Sequence, residues 1–237
     1  MNFYDITIDE GRRRKFACGH LEEIIPIKKE RRSCPDCSGL LGKNYFQLFN
    51  DKNWNAKMYM DREHYADFMS YLVYPIVSEK AKEVLTENFG DAVDFGDIEM
   101  VSYRDLTVEK LKDIRDTFGY PAVKKIPNDP PQLYRLLLKQ GADLDFEKSN
   151  IKLTLDCLTC GSRVYDTPYF EYSAEHGKII FTPTVYIKES TWKGYDIFHV
   201  EGYGSTVFCT EKFIEIYNQH KLTGLRFLLE YLKVETI

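Results

Sequence analysis

The sequence predicts a mixed, β-rich α+β fold with a few short helices. Three observations carry that expectation. Short runs alternate apolar and polar residues at strand spacing, as where Tyr4, Ile6 and Ile8 alternate with Phe3, Asp5 and Thr7. Other stretches repeat apolar residues at helical spacing behind a capping residue, namely Ser78, Thr107 or Thr210. Tyr and Phe are abundant, 17 and 15 among 237 residues, which suits strands.

In chain order, Asn2 to Ile8 reads as the first strand, turned by Glu10-Gly11. Lys15 to Cys18 reads as its return, and Ile24 to Ile27 as a short apolar run broken by Pro26. Tyr45–Phe49 and Ala56–Met60 are short strands. Ser78 then caps a helix whose apolar face is Ala81, Val84, Leu85 and Phe89, and Gly90 stops it. Ile98 to Tyr103 is a further strand. Thr107 caps a helix over 108–118 with the stripe Val108, Leu111, Ile114 and Phe118. Leu133 to Leu138 fits helix or strand, closed by Gly141-Ala142-Asp143. Ile151–Leu155 leads into the Cys157 turn, and strands follow at Tyr169–Tyr172 and Ile179–Ile187, the last an edge strand because it carries Pro183. Thr206–Cys209 is a strand, and Thr210 caps a helix from Glu211 to about Gln219 with Phe213, Ile214 and Tyr217 inward. Thr223-Gly224 turns into a final strand, Leu225–Leu229.

Hydrophobic content of 43% and charged content of 29% describe a globular chain able to bury a core. The net charge of −5 gives no support to general nucleic-acid binding. The charge is uneven. Residues 1–43 hold nine Lys/Arg against seven Asp/Glu, and the remainder 23 against 30. The N-terminal excess sits in Arg12-Arg13-Arg14-Lys15 and in Lys28-Lys29 with Arg31-Arg32. The opening Met1-Asn2-Phe3-Tyr4-Asp5 has neither the basic nor the apolar region of a signal peptide, and no run approaches the ~20 apolar residues of a membrane span. A cytoplasmic protein with no membrane partner is expected, in which paired cysteines mean metal before disulfide. Asn128-Asp129-Pro130-Pro131 is the clearest internal boundary. Three regions follow: 1–43, 44–129 and 130–237, expected to form one unit.

What would hold them together is a cysteine pattern. Cys157-Leu158-Thr159-Cys160-Gly161 puts two thiolates on a tight turn that can grip one ion from one side. Cys34-Pro35-Asp36-Cys37-Ser38-Gly39 supplies a second half-site. Cys34, Cys37, Cys157 and Cys160 therefore make a structural Cys₄ zinc site the first expectation. A zinc ribbon places its knuckles roughly 15–20 residues apart. Here they are more than a hundred apart. Closing such a loop costs roughly 4 kcal/mol of chain entropy, which the ~10–16 kcal/mol of structural zinc binding can offset. The rival site is local: Cys18, His20, Cys34 and Cys37, since Cys18 and His20 would share a strand face. Cys209 reads as a buried small hydrophobe.

The two Cys-x-x-Cys motifs, Pro130-Pro131 before the second, and the tail segments Thr191 to Phe198, Val207 to Phe213 and Leu222 to Phe227 resemble the double-CxxCG motif family of bacterial immunity proteins, known best from myxobacteria. The resemblance covers most of the chain and is strongest from Pro130 to Phe227. The first motif departs from the pattern, with Ser38 where the family has Gly, and Tyr74 to Ala81 looks more like another group of immunity-type proteins. The resemblance implies a non-enzymatic partner of a polymorphic toxin, which neutralises one cognate toxin domain by covering its active surface. The acidic residues 44–237 would suit a basic toxin such as a nuclease.

Nothing in the chain argues for an enzyme. His64, His176, His199 and His220 have no metal-ligand spacing, Asp143 and Asp145 read as solvated acids, and no nucleophile elbow, phosphate loop or dinucleotide fingerprint is present. Four Cys ligands close a zinc shell, whereas a metal hydrolase needs an open position and a ligand other than Cys. The alternative function is a zinc-ribbon-type nucleic-acid-binding or regulatory protein, supported by Arg12 to Lys15 and the first knuckle.

Overall fold

A computed structural model of the chain describes residues 3–8, 16–17, 19–26, 34–37, 54–71, 74–118, 126–159, 163–166, 171–173, 178–181, 185–200, 206–229 and 232–235. The fold is mixed α+β and rich in strands, as the residue patterns predict. The strands are β1 (Phe3–Ile8), β2 (Gly19–Pro26), β3 (Trp54–Met60), β4 (Phe68–Tyr71), β5 (Tyr74–Ser78), β6 (Val93–Met100), β7 (Leu133–Leu138), β8 (Gln140–Ala142) and β9 (Lys152–Asp156). They continue with β10 (Arg163–Asp166), β11 (Glu171–Ser173), β12 (Lys178–Phe181), β13 (Val185–Lys188), β14 (Ile197–Val200), β15 (Val207–Thr210), β16 (Leu225–Leu229) and β17 (Leu232–Glu235). Among the described residues the α-helices are α1 (Glu79–Phe89), α2 (Val108–Phe118) and α3 (Glu211–Gln219).

One sheet has five strands in the order β16-β1-β15-β14-β8, and a second has six in the order β2-β3-β6-β7-β5-β4. In the first, β1 runs antiparallel to both neighbours, so the N-terminal strand is locked between two C-terminal ones. Alternation explains its packing. Ile197, Val207 and Cys209 face a core shared with α1, α3, Val77 and Leu136, while Phe3, Phe198 and Phe208 face a second core with Leu144, Val185 and Ile187. Because both faces are covered, β15 is buried along its whole length and its Val207-Phe208-Cys209 reads as continuous apolar sequence.

The sheets are also clipped by polar contacts. Asp67 Oδ1 accepts from Ser78 Oγ at 2.9 Å, and its Oδ2 accepts from Thr223 N at 3.0 Å and Thr223 Oγ1 at 2.9 Å. Ser78 Oγ in turn accepts from Ala81 N at 3.2 Å, so one hydroxyl both caps α1 and holds the clip. Gly224 lies at φ +102°, and a Cβ there would come within 2.0 Å of the Phe68 carbonyl oxygen. The turn into β16 thus needs glycine for both conformation and space.

Several elements differ from the sequence reading. Of the stretch read as Lys15–Cys18, Phe16 and Ala17 are not in a strand, and Ala17 N donates to His64 O at 2.7 Å, while Lys15 and Cys18 lie outside the described residues; β2 is described from Gly19. The strand placed at Ile98–Tyr103 begins earlier, at Val93, and Tyr103–Asp105 is a short 3₁₀ turn. Gln140–Ala142 forms its own strand rather than closing β7. Within the run Ile179–Ile187, β12 pairs with β11 and β13 with β17, and Pro183 lies outside the described residues. Thr107 Oγ1 accepts from Lys110 N at 3.1 Å as expected of a cap, but Val108 is 79% exposed. It stands on the first turn, and the buried contact is made by Ile114, packed with Tyr59 and Val101. Thr210 precedes α3 without capping it through its side chain; its hydroxyl donates to Asp196 Oδ1 at 2.6 Å. The strand expected at Tyr45–Phe49 lies outside the described residues.

Candidate metal centre

The second knuckle grows out of a hairpin. β9 and β10 pair antiparallel, Asp156 facing Arg163, so Cys157 leaves the end of β9 where the chain turns over. The base of the hairpin is fixed by buried Ile151 and by Phe146 stacked on Tyr165, with ring centroids 5.1 Å apart. The first knuckle is a tight turn over Pro35–Cys37, where proline's fixed φ suits the bend.

The fold brings these two turns together. Cys34, Cys37 and Cys157 present their sulfurs within 4.8 Å of one another. Cys34 Sγ and Cys157 Sγ are 3.7 Å apart although the residues are 123 positions apart in sequence. A tetrahedral zinc with Zn–S of ~2.3 Å requires sulfurs ~3.8 Å apart along each edge. A disulfide requires ~2.05 Å, and Cys34, Cys37 and Cys157 are not joined by one. The donor set and its spacing therefore fit a shared thiolate-loving ion. Cys34 and Cys157 are buried and Cys37 is half-exposed, so the cluster has a dry side and a wet side. Thr159 Oγ1 donates to Asp36 Oδ2, which adds a polar tie between the turns. Sequence reasoning did not find that tie, although both residues occupy the x positions of the Cys-x-x-Cys motifs.

Of the other expected ligands, Cys160 and Cys18 lie outside the described residues. His20 pairs with Tyr59 across β2 and β3 and stacks on its ring at 5.1 Å; among the described residues the gathered ligands are Cys34, Cys37 and Cys157. Cys209 is fully buried opposite Tyr4, and burial first, then Asp5 and Asp196, pushes its thiol well up. It is a neutral core residue.

The remaining titratable groups form no catalytic constellation among the described residues. His64 is exposed beside Phe16, and His176 lies outside the described residues. His199 is half-buried, and burial, helped by Lys193, lowers its pKa to about 3. Asp143 Oδ1 accepts from Gln140 Nε2 at 2.7 Å and Asp145 Oδ1 from Lys148 N at 3.1 Å, both in local turns. Asp5 is raised to about 6 by burial on the face it shares with Phe3. Among the described residues no helix is long and apolar enough to cross a membrane. Compared with known proteins, the chain matches no family model and no curated sequence.

Proposed function

We infer that the chain is a non-enzymatic binding protein of the immunity class, in which a structural zinc ion joins the N-terminal segment to the C-terminal third. The observation that carries this reading is the meeting of Cys34 and Cys37 with Cys157. Two Cys-x-x-Cys pairs far apart in sequence are one part of the resemblance, and the approach of Cys157 to Cys34 and Cys37 gives that spacing a physical purpose. Cys34, Cys37 and Cys157 would hold the ion, with Cys160 the fourth ligand expected from the motif. A closed thiolate shell leaves no position for substrate, so the ion supplies rigidity rather than reactivity. The partner is a cognate toxin domain in the cytoplasm, neutralised by occlusion. The acid excess in residues 44–237 favours a basic partner such as a nuclease, because complementary charge speeds encounter.

The test is a growth rescue. A toxin domain encoded beside this chain is expressed alone and together with it. Restored growth and co-purification of the pair are expected. A domain that still kills, and that does not bind the chain, overturns the immunity reading.

The hairpin favours a second reading. A knuckle at the end of the antiparallel pair β9–β10 is also the arrangement of a zinc ribbon, and such a module would bind DNA or RNA. That reading requires binding that weakens steeply as salt rises. A gel-shift titration between low and physiological salt separates the two, since the immunity reading expects no shift at any salt.

A further inference from the structure

The three thiols differ in exposure. Cys37 is half-exposed, whereas Cys34 and Cys157 are buried with sulfurs 3.7 Å apart. Among these three thiols an oxidant arriving from solvent meets Cys37 first, while the sulfurs of Cys34 and Cys157 already lie close together across opposite knuckles. We propose that the centre is a peroxide-responsive clasp, in which oxidation entering at Cys37 ends as a Cys34–Cys157 disulfide that expels the metal and keeps the two segments joined. This rests on the metal reading above.

The chemistry balances with a hydroperoxide as oxidant. The Cys37 thiolate attacks one peroxide oxygen; an S–O bond forms, the O–O bond breaks, and the departing hydroxide takes a proton to become water. Cys34, in the same turn, then attacks the Cys37 sulfur, forming an S–S bond and releasing the second oxygen as water. The Cys157 thiolate next attacks Cys34 Sγ and displaces Cys37 as a thiolate. Two thiols have lost two electrons, and one hydrogen peroxide has become two waters. The last exchange has a direction: it moves the disulfide from a half-exposed pair to a buried one, where reductants reach it poorly. Sulfur positions support the final step, since closing from 3.7 Å to a bond of ~2.05 Å is a small movement.

The consequence is a join that outlasts its ion. A metal staple alone would open when oxidised, whereas a disulfide between the knuckles still closes the same loop. Cys209 provides an internal control, being fully buried and held as a neutral thiol by its surroundings.

The experiment uses the full chain, loaded with zinc, with metal content measured before oxidant is added. Hydrogen peroxide is titrated while a colorimetric chelator reports released zinc and alkylation with peptide mapping reports disulfides. Release of the bound zinc together with a Cys34–Cys157 linked peptide and reduced Cys209 is expected. In the C37S variant the link should form at least tenfold more slowly. Disulfides confined within a knuckle, Cys34–Cys37 or Cys157–Cys160, overturn the proposal, as does an unchanged rate in C37S. A chain that binds no zinc before oxidation refutes the metal reading instead, and the mapped disulfides still decide the thiol exchange.

Discussion

Strands β9 and β15 are opposite solutions to the same problem. β15, Val207–Thr210, is buried at every position between two cores, and β9, Lys152–Asp156, is exposed at every position. Burial of apolar area at roughly 25 cal/mol per Å² suffices to hold the first. It cannot hold the second, whose Leu153 and Leu155 remain open to solvent. What fixes the hairpin is a short ladder to β10, an aromatic stack at its base and a group of thiols at its end. The body of this molecule is stable because of what it excludes from water. The knuckle region instead leaves its leucines in solvent and gathers three thiols close enough to hold a metal ion.

The largest effect should follow from breaking the body. Gly224→Ala forces a Cβ against the Phe68 carbonyl and Ala66 at a backbone angle that L residues rarely adopt. A loss of about 4 kcal/mol, or failure to fold, is expected in urea denaturation. A loss below about 1 kcal/mol would show that this turn can shift, and would weaken the case for a rigid junction between the sheets.

Removing the metal should break the other half of the comparison. With a chelator, or in Cys157→Ser, zinc should fall from about one per chain to less than half, on the stoichiometry of a single site. Amide exchange in 152–166 should quicken about 100-fold while Val207–Thr210 is unchanged. Full occupancy in Cys157→Ser would mean that the ion sits elsewhere, and equal loss of protection in both strands would mean that the metal supports the whole molecule.

pH sharpens the contrast within the body, where two half-buried groups respond in opposite senses. His199 has a folded pKa of about 3 against an ordinary 6.5. Its contribution is present above 6.5 and is lost as pH falls, because the unfolded chain takes the proton first. Between pH 7 and 5 that is a loss of about 2 kcal/mol. Asp5 is raised from 3.8 to about 6. Its folded state takes the proton first, so stability is greater below 3.8 and declines as pH rises through 6. Over the same interval acidification returns about 1 kcal/mol. The gain at Asp5 offsets only part of the loss at His199, so the natural chain keeps a reduced acid loss. Asp5→Asn should expose the acid loss, and His199→Gln should leave a small acid gain, read as the slope of melting temperature against pH. Parallel slopes in all three proteins would remove both groups from the account.

The sequence revealed the helices well because each one states its period and its start. Ser78 and the face Ala81, Val84, Leu85 and Phe89 are all where the spacing puts them. Strand limits were less legible. Leu133–Leu138 has leucines on both faces and Arg135 among them, since Leu136 and Leu138 enter one core and Leu133 another, so periodicity could not separate strand from helix. The half-sites were legible from the Cys-x-x-Cys spacing, and the meeting of Cys34 and Cys37 with Cys157 was expected because half a tetrahedral shell needs another half, but the strand order that brings them together depends on long-range topology that a local pattern does not encode. The Asp36–Thr159 tie and the Asp67–Thr223 clip were invisible for the same reason: polar residues in turns announce a turn, not their partner.

That clip supports the smallest of the expected effects. Thr223 Oγ1 donates to Asp67 Oδ2 at 2.9 Å and accepts from Asp67 N at 3.0 Å, at the edge of the junction where Gly224 is packed. Thr223→Val keeps the shape and removes both bonds. Solvent reaches this position and can replace part of what is lost, so the change should be about 1 kcal/mol, a lowering of a few degrees in melting temperature. Thr223→Ser should restore most of it, because the hydroxyl returns. Since the clip joins the sheets and does not touch the knuckles, zinc content should stay at the natural level in both variants. A loss of zinc in Thr223→Val would instead mean that the body sets the geometry of the thiols, and the two regions would have to be treated as one cooperative unit.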